Sequence, residues 1–119
     1  MRKPVEAQFG FSDSELVRYA REKNKVKVVL KLWDERIIEI SFNEVIGTKD
    51  MNCGNISEFC QETKQSRFFE NALANEFVII PESHDLLSFQ FLNLDEEVSF
   101  EVIAKSYSIA EQKDPQIMN

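Results

Sequence analysis

The sequence predicts an α+β domain: an antiparallel β-sheet of hairpins with a short helical insert, at about residues 56–76, packed on one face. Three observations carry this reading. Lys25 to Phe42, KVKVVLKLWDERIIEISF, alternates apolar and polar residues around one chain reversal. Leu86 to Tyr107 repeats that pattern, and the stretch between the two switches to helical spacing. A β-sandwich with the helices as a crossover contains the same two hairpins and is the other arrangement the pattern allows.

Taken in order, residues 1–13 read as a lead-in, with Phe9-Gly10-Phe11 as a bend whose rings pack back on the domain. Glu15 to Glu22 suits a helix capped by Ser12 or Asp13, or a strand that turns at Lys23-Asn24. The strand is preferred, because the following hairpin needs a neighbour, and Asn24 tolerates the left-handed conformation of a tight turn. In Lys25 to Trp33 the period of two places Val26, Val28, Leu30 and Leu32 on the core side. Lys25, Lys27, Val29, Lys31 and Trp33 then face outward. After a reversal at Asp34-Glu35, Arg36 to Phe42 points Ile38, Ile40 and Phe42 inward, with Lys31 placed to pair with Glu39 on the outside.

Val45 and Ile46 suggest a short strand that Gly47 ends. Asn55-Ile-Ser-Glu58 occupies the positions of a capping box, so a first helix is expected from Ile56, with Phe59, Cys60 and Thr63 on one face. Ser66 is the expected N-cap of a second helix carrying Phe69, Ala72 and Leu73. Phe77 to Ile80 is an apolar run closed by Pro81, and residues 81–85 read as a loop or a single turn. Two strands follow, Leu86 to Leu94 and Val98 to Tyr107, joined at Asp95-Glu96-Glu97. Leu87, Phe89 and Phe91 face in, as do Phe100, Val102 and Ala104, while Ser99, Glu101 and Lys105 face out. The 119 residues make a single domain, with 1–8 and 111–119 expected to be flexible.

Composition narrows the function. Nothing approaches the ~18 continuous apolar residues of a membrane span, and the N-terminal stretch lacks the apolar run of a secretory signal, so a cytoplasmic location is expected. Cys53 and Cys60 suit two reduced thiols there, although pairing between them is conceivable. The net charge is −7, and it is unevenly spread. Residues 1–36 hold nine of the fourteen Lys and Arg against six acids, and residues 37–119 hold five against fifteen. That division, +3 against −10, argues against nucleic-acid binding, which needs clustered cations, and suits docking onto a basic protein surface.

The supply of catalytic groups is thin. One His and two Cys cannot assemble a zinc set, and no Ca²⁺ loop spacing is present. Three glycines leave little for a phosphate-cradling loop, so no cofactor is expected. The one arrangement left open is His84, beside Asp85, activating Cys53 or Cys60; the plainer reading makes His84 a loop residue and Cys60 a packed one. No residue is assigned a catalytic, cofactor-binding or metal-binding role. Two sets of residues are candidates for a protein interface. Asp95, Glu96 and Glu97, with Glu101, form an acidic knob if they share a side, aided by Glu82 and Asp85; otherwise they are a solvated hairpin tip. Val29, Trp33 and Ile37 form an outer apolar stripe that a first strand, a helix or another chain must cover.

The segments SDSELVRY and KVKVVLKLWDERIIEISFNEVIGTKD, with the later HDLLSFQFLNLDEEVSFEVIAKSYSI, resemble small bacterial proteins of unknown function and some toxin-immunity proteins. The likeness lies in the manner of the strands rather than in a motif, and transfers no catalytic residue. It implies a non-enzymatic, immunity-type inhibitor that masks a basic toxin domain. Two other readings stand beside it: a small ligand-binding or enzymatic α+β domain with a pocket near His84, and a homo-oligomeric structural protein that pairs through the Val29/Trp33/Ile37 stripe.

Overall fold

The computed structural model describes residues 2–5, 10–79 and 84–112. It is built mostly of antiparallel β-sheet, with one short helix. Strands β1 (Arg2–Pro4), β7 (Glu58–Glu62), β8 (Leu87–Leu92), β9 (Val98–Ala104) and β5 (Gly47–Asp50) make the first sheet, in the order β1-β7-β8-β9-β5. Strands β10 (Ser106–Gln112), β4 (Ile37–Asn43), β3 (Lys25–Lys31), β2 (Ser14–Glu22) and β6 (Asn55–Ile56) make the second, in the order β10-β4-β3-β2-β6. Helix α1 (Arg67–Glu76) lies in the connection from β7 to β8.

One apolar core joins the two sheets. Val26, Val28, Leu30, Leu32, Ile38, Ile40 and Phe42 line it from the second sheet, all buried as the alternation requires. Phe59, Phe89, Phe91, Phe100 and Val102 meet them from the first. Phe42 is the hub, with the rings of Phe59, Phe89, Phe91 and Tyr107 around it, and Phe59 stacks on Phe91 at 4.5 Å. These rings have no polar atom to satisfy apart from the Tyr107 hydroxyl, so the centre can be dry.

The chain from 15 to 22 is strand rather than helix. It pairs with β3 from Glu15↔Lys31 to Glu22↔Lys25, with a bulge at Val17. The left-handed residue of its turn is Lys23 (φ 56°), not Asn24. The N-terminal lead-in is structured in part, since Arg2–Pro4 pairs with β7 and Phe11 packs edge-on against Phe59; Phe9 lies outside the described residues. Val45 and Ile46 precede a strand that Gly47 begins rather than ends.

The largest correction concerns residues 55–62, which form β6 and β7 instead of a helix. Ile56 enters the core from the second sheet and Phe59 from the first, because the chain crosses between sheets at Ser57. That crossing produces a spacing of three that imitates a helical face. The second helix stands as expected. Ser66 caps it by accepting from the Phe69 N–H at 3.1 Å, and Phe69, Ala72 and Leu73 are its buried residues. It packs with Ile103 and Leu86, against a β5 that begins at Gly47. A Cβ on Gly47 would meet Ala72 Cβ at 3.1 Å and Phe68 Cζ at 3.2 Å, so the missing side chain admits the helix. The expected strand from Val98 to Tyr107 is two strands, β9 and β10, in different sheets. Lys105 is the corner between them. Glu111 and Gln112 belong to β10, where flexibility is expected from the sequence; residues 113–119 lie outside the described set.

Candidate interaction surface

The β3–β4 and β8–β9 hairpins end in the same three-residue loop. In the first, Glu35 N–H donates to the Leu32 carbonyl at 2.9 Å and Leu32 N–H to the Arg36 carbonyl at 2.8 Å. In the second, Glu96 N–H donates to the Asn93 carbonyl at 3.0 Å and Asn93 N–H to the Glu97 carbonyl at 2.9 Å. Glu35 (φ 72°) and Glu96 (φ 62°) occupy the left-handed position, which identifies a type I turn closed by a bulge. The apex of each loop therefore holds a large apolar residue followed by Asp-Glu. Trp33 is 67% exposed and Leu94 65%.

The surroundings of these tips differ. Asp34 Oδ2 accepts from Arg36 Nε at 2.7 Å, and Glu35 lies 3.7 Å from Lys31 Nζ, so the first tip is neutralised within the chain. In the second, Asn93 Oδ1 accepts from the N–H groups of Asp95 (2.9 Å) and Glu97 (3.0 Å). Ser57 donates to the Asn93 carbonyl at 2.7 Å and anchors its base. Among the described residues, Asp95, Glu96 and Glu97 have no ion-pair partner, and all three are exposed. A neutral amide orders this loop, which leaves three carboxylates free around Leu94. The positioning role of Asn93 was not read from the sequence; its signal is an Asn two residues before the acid at the turn.

The other expected site residues are dispersed. Trp33 sits at the apex of the turn, not on the outer sheet face, because the strand ends at Lys31 and alternation ends with it. Val29 is 5% exposed and Ile37 half-buried, so the three make no continuous exposed stripe. Glu39 is held by Lys27 at 3.9 Å and by Gln112 at 3.1 Å rather than by Lys31. Glu101 does not join the acidic knob: it is 6% exposed on the outer side of the first sheet, and its carboxylate accepts from Ser88 Oγ and from Gln90 Nε2. Gln90 in turn accepts from Arg2 Nε at 3.0 Å. Asp85 is exposed, and Glu82 lies outside the described residues.

The His84 ring is engaged structurally. Nδ1 accepts from the Leu86 N–H at 3.1 Å, Nε2 lies 3.1 Å from the Gln65 amide, and the ring packs near Phe69. Neither cysteine bonds to it, and both are free thiols. Burial, reinforced by the nearby charge of Glu58, pushes the Cys60 thiol up to about 11, far from the thiolate a nucleophile needs. The Cys53 thiol is also raised, chiefly by burial, although the Ser99 hydroxyl at 3.3 Å opposes the shift. A cleft of about 230 Å³ beside Leu86 is lined by Asn24, Glu44, Val45, Ile46, Glu76, Phe77 and Lys105, and His84 is not in it. Among the described residues, no group of three His, Cys, Asp or Glu is placed to hold a metal ion. No helix among them is long and apolar enough to cross a membrane.

Neither a family model, nor a curated protein, nor a solved structure matches this chain.

Proposed function

We propose that this chain is a non-enzymatic protein-binding module whose contact surface is the Leu94–Glu97 tip, and that its partner is a basic protein surface. The observation that carries the reading is three unpaired carboxylates around an exposed Leu94, on a loop braced by Asn93 and Ser57. A partner contact at such a tip combines a small desolvated apolar anchor with charge-assisted bonds to Arg or Lys. The remaining acidic surface of residues 37–119 steers a cationic partner toward it. In its most specific form, the module is an immunity-type inhibitor that covers a basic toxin domain.

The test compares wild type with an Asp95→Asn/Glu96→Gln/Glu97→Gln variant as affinity baits in extracts of the source cells. A protein retained by the wild type, released by salt and absent from the variant's eluate is the expected outcome. Identical eluates from the two baits would sink the proposal. The immunity form has its own test. The reading frame adjacent to the gene should arrest growth when expressed alone, and this chain should restore it.

A further inference from the structure

Exposed sheet edges invite pairing with other chains, and proteins blunt them with short length, Pro, charge or bulges. Three of the four edges among the described strands are defended in this way. β1 has three residues, two of them cationic and the third Pro4. β5 has four residues and carries Lys49 and Asp50. β6 has two residues, and the length of β2 it leaves uncovered carries a bulge at Val17 followed by Arg18, Arg21 and Glu22.

β10 is different. It pairs with β4 over all seven residues, Ser106↔Asn43 to Gln112↔Ile37, without a register shift. Its sequence, SYSIAEQ, contains no Pro, Gly or Lys and a single charge, Glu111. No described strand pairs with its free side. Its inward residues Tyr107 and Ile109 are only half-buried, although Tyr107 packs with Phe59 and Phe89. A cleft of about 250 Å³ lined by Lys3, Pro4, Val5, Gln61 and Tyr107 opens along this edge.

We infer that the occupant of this edge is a second copy of the chain, paired antiparallel through β10 about a two-fold axis at Ser108. In that register Ser108 meets the second copy's Ser108, Tyr107 meets its Ile109, and Ser106 meets its Ala110. An aromatic–β-branched pair of this kind is favourable across strands. Lys105, at the start of the strand, then lies opposite the second copy's Glu111 at the end of its own. Each is exposed and already pairs within its chain, Lys105 with Glu44 at 3.7 Å and Glu111 with Arg36 at 3.4 Å, so the contact would extend these pairs across the axis rather than create them. The seam is thus complementary in charge at both ends and neutral in the middle, as a self-paired two-fold interface requires. The two copies join their second sheets into one continuous ten-stranded sheet. This inference is independent of the Leu94–Glu97 tip, which lies in the other sheet's hairpin.

Sedimentation equilibrium across a concentration series tests it. The wild type should show a monomer–dimer equilibrium. Ser108→Lys, an exposed position where two like charges would meet on the axis, should shift it to monomer, with an unchanged circular dichroism spectrum. Glu111→Lys should weaken the dimer by roughly tenfold, and Lys105→Glu added to it should restore the dimer. This charge pair keeps the test open if Ser108→Lys does not fold. A wild type that stays monomeric to its solubility limit overturns the inference. So does a dimer that a folded Ser108→Lys leaves intact, or one that charge exchange leaves unchanged.

Discussion

The two hairpin tips share a backbone and differ in which side chain orders it. At Leu32–Arg36, the ordering groups are charged: Asp34 Oδ1 accepts from the Arg36 N–H at 3.3 Å, and Oδ2 holds the Arg36 guanidinium. At Asn93–Glu97, the ordering group is the neutral Asn93 amide. The first position of each turn shows the same division, being a buried Leu32 in one and a polar Asn93 in the other. A carboxylate that completes a turn and pairs with Arg36 is occupied within the fold. Carboxylates on a turn completed by an amide are available to another molecule. Charge at the first tip is therefore taken up within the fold, and charge at the second is left for the contact proposed above.

The largest effect that should separate the tips comes from their first positions. Leu32→Ala empties a buried site in the core and should cost about 2–5 kcal/mol. Asn93→Ala removes two bonds to turn N–H groups and should cost less, about 1–2 kcal/mol. Urea unfolding of the two variants measures both. Equal losses would mean that the turns are held in the same way. Next in size is Arg36→Gln, which removes the partners of Asp34 and Glu111. It should lower stability by up to about 1 kcal/mol at low salt, and the loss should shrink as salt screens the exposed pairs. Asp95→Asn at the other tip should leave stability unchanged within about 0.5 kcal/mol, because no cation depends on it. A clear loss there would assign that carboxylate to the fold.

Much of the fold was legible because a period of two maps directly onto the pleat, so Val26 to Phe42 announced their faces and Ser66 announced its helix. The illegible parts have definite physical causes. Where the chain changes sheets, at Ser57 and Lys105, the inward position jumps by three, from Ile56 to Phe59 and from Ala104 to Tyr107, which imitates a helical face at the first crossing and breaks the alternation of what reads as one long strand at the second. Alternation also assigns a face without saying what covers it, which is why Val29 and Glu101 are buried although they point outward. Continued past Lys31 it misplaced Trp33, whose direction is set by the turn. The acidic tip was visible as composition in Asp95-Glu96-Glu97. Its availability was not, since that depends on Asn93 and on how the described cations are placed in space, none of which pairs with it.

The turns themselves were hard to read because glycine does not mark them. Among the described residues, seven non-glycine residues have positive φ, Glu35 and Glu96 among them, and none of the three glycines does. This leads to the smallest and most symmetrical of the predictions. A non-glycine residue in the left-handed region is strained by about 1–2 kcal/mol, whereas glycine gives back about 0.5–1 kcal/mol through its freer unfolded chain. Glu35→Gly and Glu96→Gly should therefore each stabilise the protein by roughly 0.5 kcal/mol. The gain at Glu35 should be slightly smaller, because its exposed pair with Lys31 is lost, and the two should converge at high salt. Thermal unfolding of both variants at two salt concentrations gives the answer. A difference that persists at high salt would show that the loops do not share one backbone, and the contrast between the tips would then lie in geometry rather than in charge.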